Sequence, residues 1–315
     1  MRAVFMGTPD FAVSILDAVI EMGVEVTAVV TQPDRPKGRG KAVQISDVKA
    51  RAMELGLPVY QPVRIKKDPE FVELLRNMAP DVMVVAAFGQ ILPKEVLEIP
   101  RLGCINVHAS LLPKYRGSAP IQWSVINGDR TAGVTTMQMD IGMDTGDMLE
   151  KAEIELAPDE TGGSLFDRLA VLGADLIQST LRKAEAGELH PEKQNEEEAT
   201  HASMLTKEMG DIDWSKDAEA IERLIRGLNP WPSAFSSLDG KGIKIWKAQV
   251  LPESNSASNA EPGEVVAVSK NAFDVRTGKG LLRILELQPS GKKRMSSDAF
   301  LRGYPVKEGD RFIKA

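Results

Sequence analysis

The sequence has few of the residues that build disulfides, metal sites and membrane spans. It holds one cysteine, Cys104, and three histidines in 315 residues. One cysteine cannot form an internal disulfide. His108 has no His or Cys partner at ligand spacing, so we expect no metal site. The opening run MRAVFMGTPDF is too short for a signal peptide or a membrane span. These shortages predict a cytoplasmic protein without membrane contact.

Positive charge is also scarce. The net charge of −6 at pH 7 argues against non-specific binding of nucleic acid. The charge is uneven, however, because 18 Lys and Arg stand against 15 Asp and Glu from Lys207 onward. A weakly basic tail on an acidic body fits an anionic macromolecule contacted mainly through the tail. Ordinary solvated surface is the alternative, since the positive excess is small.

The order of elements predicts two domains. Strand signals and helical periodicity alternate over the first part of the chain, which is typical of an α/β fold with a doubly wound, mostly parallel sheet. The predicted strands there are 2–6, 24–31, 82–87, 103–108 and 133–140, and the helices are 10–22, 46–55, 69–78 and 165–186. A polar stretch follows, then a helix at 216–228 and five short strands separated by turns, which suggest a small barrel. We predict domains at 1–189 and 207–315, joined by a linker at 190–206.

The densest group of chemically capable residues is CINVHASLLPKYRG, residues 104–117. Asn106 and His108 lie two residues apart on a buried strand, so their side chains point to one side. His108 falls near the carboxyl end of that strand, where ligands bind in this architecture. A fixed donor beside a proton-carrying group suits attack on a carbonyl carbon. The alternative is a core histidine bonded to backbone, although His190 and His201 both lie in the polar linker.

A third group is needed to orient the imidazole. The segment MQMDIGMDTGDML offers Asp140, Asp144 and Asp147. Spacing alone does not choose among them, although Gly142 and Gly146 around Asp144 permit tight backbone geometry beside a ligand.

The motifs NVHASLLPKYRG and MDIGMDTGDML, with the opening FMGTPDFA, resemble the folate-dependent formyltransferase family. In that family an Asn, a His and an Asp form the catalytic set, and the resemblance assigns these roles to Asn106, His108 and Asp144. It implies 10-formyltetrahydrofolate as co-substrate, a Rossmann-like N-terminal formyltransferase domain and an OB-like C-terminal β-barrel. The predicted folate-binding residues are Phe88, Gly89, Gln90, Ile91, Leu92, Ser110, Leu111, Leu112, Pro113, Asp140 and Gly142.

Three further stretches, TQPDRPKGRGKAVQISDVK, AAFGQILP and NPWPSAF, resemble the family members that formylate methionyl-tRNA. The resemblance implies initiator methionyl-tRNA and reduced folate as partners, and we expect a monomer. Residues 33–49 form a basic loop in an acidic domain, which fits contact with phosphates; a solvated loop is the alternative. The predicted tRNA-binding residues are Arg35, Lys37, Arg39 and Lys41, with Lys49 also in the loop, and Lys292, Lys293 and Arg294 in the tail.

Other functions compete with this interpretation. A formyltransferase acting on glycinamide ribonucleotide or an amino sugar would need neither the basic loop nor the barrel. A hydrolase that releases formate would share the Asn-His-Asp set, and a formate-release assay without acceptor separates that case. A non-enzymatic tRNA-binding protein would not need the catalytic set.

Overall fold

The computed structural model describes residues 1–37, 42–252 and 260–315. The chain divides into two compact units. The first comprises Met1–Pro120, Thr131–Glu155 and Phe166–Ala202, and the second comprises Ile121–Arg130, Leu156–Leu165 and Ser203–Ala315. The predicted linker at 190–206 therefore divides between the units after Ala202. The predicted domain boundaries stay a prediction, because compact units and functional domains need not end at the same residues.

A seven-stranded sheet forms the first unit. The strands of this part of the chain are β1 (Arg2–Gly7), β2 (Glu25–Val30), β3 (Arg35–Lys37), β4 (Ala42–Gln44), β5 (Val59–Tyr60), β6 (Val82–Ala86), β7 (Cys104–His108), β8 (Arg116–Gly117), β9 (Thr131–Gln138), β10 (Met148–Glu155) and β11 (His201–Ala202). The sheet order is β10-β9-β7-β6-β1-β2-β5, with β9 antiparallel to both of its neighbours and the other pairs parallel. The predicted α/β fold with a mostly parallel sheet is confirmed.

Helices cover both faces of this sheet. They are α1 (Asp10–Glu21), α2 (Asp47–Glu54), α3 (Pro69–Met78), α4 (Lys94–Leu97), α5 (Pro120–Asn127) and α6 (Gly162–Ala186); α5 and the start of α6 lie in the second unit apart from Pro120. On one face Met83 of β6 belongs to the same buried cluster as Leu75 of α3. On the other, a Cβ at Gly173 of α6 would lie 3.1 Å from Val107 Cγ1. The strand order reverses between β1 and β6, and ligands bind beyond the carboxyl ends at such a switch point.

The second unit contains an antiparallel barrel. Its elements are α7 (Ala218–Gly227), β12 (Ala234–Leu238), β13 (Lys241–Leu251), β14 (Val265–Val268), β15 (Phe273–Arg276), β16 (Leu281–Pro289), β17 (Met295–Ser296), α8 (Ser297–Gly303) and β18 (Phe312–Ile313). The sheet runs β14-β15-β16-β13-β12-β18, with β17 against β16. Its two ends meet, since Val265 N donates to Asp310 O and Phe312 N donates to Gly263 O, both at 2.8 Å. The OB-like barrel expected for the tail is confirmed.

Some strands were not predicted from the sequence. Strands β3 and β4 form a hairpin inside the predicted loop 33–49. At the start of α2, Ser46 caps the helix by accepting a hydrogen bond from Lys49 N. The edge strand β10 was also missed, because four of its eight residues are charged and only Met148 is buried. In the described part of the chain, no helix is long and apolar enough to cross a bilayer.

Candidate active site

Strand β7 carries Asn106 and His108 on one face at the carboxyl end of the sheet. The strand is hydrogen-bonded to β6 on one side and to β9 on the other, so its backbone is fixed along its length. Asn106 is 8% exposed and His108 is 6% exposed. Burial and a fixed strand hold both side chains in place, as a site of precise geometry requires.

The hydrogen bonds of His108 determine where its mobile proton resides. Its Nε2 lies 2.9 Å from the carbonyl oxygen of Tyr115, and a carbonyl only accepts, so Nε2 carries a proton. Its Nδ1 lies 3.7 Å from Asp144 Oδ2. Nδ1 is therefore the ring atom that gains or loses a proton, and it faces a carboxylate.

Of the three candidate aspartates, Asp144 is the one beside the imidazole. Asp140 accepts from Gly142 N at 3.0 Å and from Thr145 Oγ1 at 2.7 Å, which stabilises its own loop. Asp147 lies 3.7 Å from Lys193 Nζ. The geometry thus supports the assignment of the third role that the resemblance implied.

Asp144 is held in an unfavourable backbone conformation. Its φ is 55°, in the left-handed region, which costs a non-glycine residue ~1–3 kcal/mol. Its Oδ2 accepts a hydrogen bond of 2.9 Å from Gly117 N, which fixes the carboxylate. Gly117 has a φ of 115°, and a Cβ there would lie 2.7 Å from Ala202 O, so this donor position requires glycine.

Two more non-glycine residues with positive φ adjoin the predicted site. Ala87, with a φ of 45°, lies between the end of β6 and the predicted folate segment 88–92. Tyr115, with a φ of 61°, presents the carbonyl that contacts His108. Strain of this kind concentrates at functional sites, where the surrounding structure enforces it.

The predicted folate segment 88–92 is fixed by contacts from neighbouring loops. Phe88 O accepts from Thr8 Oγ1 at 3.1 Å and from Gln32 Nε2 at 3.2 Å. The Gln90 amide accepts from Ile65 N and donates to Pro62 O, both at 2.9 Å. The Gln90 side chain is thus held in place by bonds within the protein. Gly89 beside it has a φ of 81°.

The predicted folate segment 110–113 also uses its side chains internally. Ser110 Oγ donates to Lys114 O at 2.6 Å, and Thr135 Oγ1 donates to Ser110 O at 2.7 Å. Leu112 is 1% exposed and packs with Met137 and Met148. Leu111 and Pro113 flank this buried residue. The segment is a rigid turn after β7, and the predicted role of its residues in folate binding stays a prediction.

Exposed apolar side chains on the predicted folate segments fit a flat heterocycle. Ile91 is 58% exposed in the segment after β6. Ile141 and Met143 are 74% and 48% exposed in the loop that runs from Asp140 to Asp144 and includes Gly142. Apolar groups that a folded chain leaves uncovered are typical of ligand sites.

The predicted tRNA-binding residues of the first unit lie in and beside the hairpin. Arg35 is exposed on β3 and Lys37 ends that strand, whereas Arg39 and Lys41 fall outside the described residues. Lys49 is different, because its Nζ donates to Asp34 Oδ2 at 2.5 Å and to Gln61 Oε1 at 2.8 Å. The hydrogen bond from Lys49 lowers the pKa of Asp34. The charge of Lys49 is therefore paired within the protein, and a contact of this residue with phosphates stays a prediction.

The basic patch of the second unit is unequal in its three members. Lys292 and Lys293 are exposed. The Arg294 guanidinium lies over Trp246, with Cζ 5.2 Å from the ring centroid, and its Nε donates to Glu286 Oε2 at 2.6 Å. Arg294 thus has partners within the unit, while the two lysines extend into solvent.

The sequence patterns missed a group of residues around Asp144. Arg116 is 7% exposed, and its Nε donates to Gln194 Oε1 at 2.9 Å. Its two Nη atoms donate to Glu196 at 2.9 and 2.8 Å, and these bonds raise the pKa of Arg116. Arg116 and Gly117 belong to the quoted motif, so a signal for them existed. Gln194 had none, because it lies in a polar stretch of linker composition.

The comparisons with known proteins agree with this geometry. The family model "Formyl transferase" matches residues 1–181, and "Formyl transferase, C-terminal domain" matches residues 204–305. A methionyl-tRNA formyltransferase of Agathobacter rectalis is 57% identical over 312 residues, 99% of each chain. Another, from Caldanaerobacter subterraneus subsp. tengcongensis, is 51% identical over 309 residues, 98% of this chain and 99% of its own.

Solved structures share the fold at low identity. HypX from Aquifex aeolicus in complex with tetrahydrofolic acid is 19% identical with a TM-score of 0.64, over 100% of this chain and 51% of that one. An N-formyltransferase from Helicobacter canadensis, in complex with folinic acid and dTDP-3-aminofucose, is 18% identical with a TM-score of 0.67, over 94% and 100%. From the full-length matches at more than 50% identity, the chain belongs to the methionyl-tRNA formyltransferase family.

Proposed function

We propose that this protein transfers the formyl group of 10-formyltetrahydrofolate to the α-amino group of methionyl initiator tRNA, and that it does so as a cytoplasmic monomer. The observation that carries the proposal is the His108–Asp144 pair on a buried strand, with Asn106 on the same face, in a chain 57% identical to a methionyl-tRNA formyltransferase over 312 residues. The product is N-formylmethionyl-tRNA, the substrate of translation initiation.

The reaction needs a donor for a developing negative charge and a carrier for one proton. The amine forms a bond to the formyl carbon, and the bond from that carbon to the folate nitrogen breaks. The amine loses a proton while the folate nitrogen gains one. Asn106 donates its amide N–H to the formyl oxygen as negative charge develops there, which is the largest single contribution in many acyl transfers.

His108 and Asp144 carry the proton. Because Nε2 of His108 is committed to Tyr115 O, proton exchange takes place at Nδ1, opposite the Asp144 carboxylate. Protonated His108 places positive charge beside the formyl oxygen, and Asp144 stabilises that form. The separation of 3.7 Å exceeds a hydrogen bond, but contacts of this kind are often long before substrate binds and shorten afterwards.

The folate is held between the segment 88–92 and the loop from Asp140 to Asp144. Backbone amides of both segments bind the polar edge of the pterin, and Ile91, Ile141 and Met143 cover its apolar faces. Exposure of these three side chains supports this arrangement. The turn from Ser110 to Pro113 fixes the direction in which the chain leaves β7, next to the formyl group.

The acceptor is held through its phosphates. In the first unit the proposed contacts are Arg35, Lys37, Arg39 and Lys41. In the second unit they are Lys292, Lys293 and Arg294, and the two lysines are the stronger candidates because they are exposed without an ion pair among the described contacts. Each phosphate contact adds to the salt dependence of binding.

The test compares acceptors under one set of conditions. Purified protein is incubated with 10-formyltetrahydrofolate and initiator methionyl-tRNA, glycinamide ribonucleotide or a nucleotide-linked amino sugar, and each formylated product is measured. Formate release without acceptor is measured in parallel. Formylation of the tRNA alone supports the proposal. Formylation of a small acceptor instead, or formate release without any transfer, would overturn it.

A further inference from the structure

A side chain from the predicted linker contacts the loop that carries Asp144. Gln194 donates both hydrogens of its amide to backbone carbonyls of that loop, Asp144 O and Gly146 O, each at 2.8 Å. We propose that Gln194 is a positioning residue for Asp144, which it holds against His108 by binding the backbone on both sides of Thr145. The proposal rests on the proposed function, because it gives Gln194 a part in the same site.

The orientation of the Gln194 amide is unambiguous. Its nitrogen faces two carbonyls, which only accept, and its oxygen receives Arg116 Nε at 2.9 Å, which only donates. All three groups would be mismatched if the amide were rotated by half a turn. Arg116 is fixed in turn by Glu196, which accepts from both of its Nη atoms. A buried guanidinium thus sets the direction in which Gln194 presents its donors.

The loop needs such support because its conformation is unfavourable without it. Asp144 has a positive φ of 55°, and a Cβ at Gly146 would collide with Gln138 O. Relaxation of Asp144 toward an ordinary φ would turn its carboxylate away from His108. The two bonds from Gln194 hold the carbonyl of Asp144 itself and that of Gly146, two residues later, and oppose that relaxation.

The same segment also holds the second partner of His108. Tyr115 N donates to Thr200 Oγ1 at 2.9 Å, and Arg116 N donates to Thr200 O at 2.9 Å. These bonds orient the Tyr115 carbonyl that receives His108 Nε2. Residues 194–200 therefore fix a partner on each side of the imidazole, Asp144 through Gln194 and Tyr115 through Thr200.

A different result is expected if residues 194–200 only pack against the first unit and do not position Asp144. In that case the removal of Gln194 would lower stability without acting through Asp144. The two cases separate if the Asp144 loop is measured directly and if the effect of Gln194 depends on the Asp144 carboxylate.

The experiment uses the full chain with Gln194→Ala, Gln194→Glu and the control Gln178→Ala. Glu at 194 can still accept from Arg116, but it cannot donate to the two carbonyls and sets a carboxylate oxygen against them, so it removes the loop contacts while the bond from Arg116 is kept. Gln178 is a half-buried glutamine of the same unit that donates to Ala18 O at 3.2 Å, away from the site. Hydrogen exchange of peptides covering 139–148, thermal melting, and kcat and KM for methionyl-tRNA are measured for each.

We expect faster exchange at 139–148 in both Gln194 variants and not in Gln178→Ala. We expect kcat to fall ~10-fold or more, since small displacements of catalytic groups are costly, with KM for methionyl-tRNA changed by less than roughly 3-fold. In protein that already carries Asp144→Asn, the addition of Gln194→Ala should change kcat by less than roughly 2-fold, because coupled residues are not additive.

Unchanged exchange at 139–148 in both Gln194 variants would overturn the proposal, and so would losses of kcat that multiply in the double variant. Faster exchange throughout the chain together with a lower melting temperature would also overturn it, since it indicates general destabilisation. If the wild-type protein formylates no methionyl-tRNA, the proposed function fails, while the exchange measurement still tests the contact between Gln194 and the loop.

Discussion

At the scale of single residues, His108 is held between two oxygen atoms of different kinds. A carbonyl occupies one ring nitrogen permanently, and a carboxylate faces the other at 3.7 Å. In the proposed mechanism this arrangement separates orientation from proton exchange, because the carbonyl fixes the ring while Nδ1 faces the carboxylate. Tyr115 and Asp144, the residues that provide the two oxygens, both have left-handed backbones.

Asp144→Asn should lower kcat ~100-fold, in the range seen when one electrostatic contact is lost from a transition state. The asparagine oxygen can still accept from Gly117 N, so the loop is retained while the negative charge is removed. Single-turnover formylation measures the chemical step, and filter binding measures the affinity for methionyl-tRNA, which should change little. Equal losses in rate and affinity would contradict the role of Asp144. Asn106→Ala should behave in the same way.

Cys104 should report on unfolding. It is fully buried at the start of β7, and burial raises the pKa of its thiol to about 12. At pH 8 only ~0.01% of such a thiol is thiolate, the reactive form. We expect iodoacetamide to label the folded protein far more slowly than the urea-unfolded protein, as measured by mass spectrometry. Rapid labelling of the folded protein would show that β7 opens readily.

Residue types and spacing were sufficient to predict part of this site. Asn106 and His108 follow from the two-residue period of a buried strand. The choice of Asp144 among three aspartates depended on resemblance, since the path of a loop is not encoded in spacing. The role of Gln194 could not be predicted from the sequence. It lies in a polar stretch without a periodic pattern, and the residue that it contacts is 50 positions away.

At the scale of elements, the basic loop 33–49 is fixed at its base by contacts within the first unit. Lys49 and Asp34 pair where the loop joins the sheet, and Gln61 donates to both Gln32 O and Asp34 Oδ1 at 2.8 and 2.9 Å. The hairpin of β3 and β4 extends from this base. Sequence reasoning treated all the lysines and arginines of the loop alike, because their neighbours at the base are distant in sequence.

Charge reversal within the basic loop should weaken the binding of methionyl-tRNA, whereas charge reversal elsewhere in the first unit should not. Arg39→Glu or Lys41→Glu should raise KM for methionyl-tRNA while kcat changes little, because the lost contact is to a phosphate and not to the reacting group. The salt dependence of binding should fall by about one phosphate contact per substitution. Lys151→Glu, at an exposed lysine of β10, is the control and should have little effect. A similar rise in KM for the control would indicate a general field effect instead.

The long, periodic elements were predicted to within a few residues. The helix Pro69–Met78 has the predicted bounds, since it shows clear apolar periodicity between turn signals. The two-residue strands β8 and β11 were missed, because a pair this short depends on tertiary contacts alone. These short strands lie beside the site, so the weakest sequence signals coincide with its supporting structure.

At the scale of the whole molecule, we expect the three residues of the basic patch in the second unit to differ in function: Arg294 stabilises the unit, and Lys292 and Lys293 bind tRNA. Arg294→Ala should lower the free energy of unfolding by about 2 kcal/mol or less, since an exposed ion pair and an exposed cation–π contact each contribute up to about 1 kcal/mol. The paired substitution of Lys292 and Lys293 by Ala should weaken tRNA binding at low salt without changing the melting temperature. Thermal melts and binding isotherms across salt concentrations measure both. If substitution of the two lysines lowers the melting temperature and substitution of Arg294 does not, the expected functions of these residues are wrong.

The way the barrel closes has a consequence for how the protein is made. Its first strand, β12, begins at Ala234, but the ring is complete only when residues 310–312 bond to residues 263–265. On a translating ribosome, where chains fold from the N-terminal end, the barrel edges therefore stay unpaired until this late segment has emerged. In a protein proposed to prepare the first amino acid of new chains, the barrel can therefore close only after residues 310–312 have been made, later than all strands from β12 to β17.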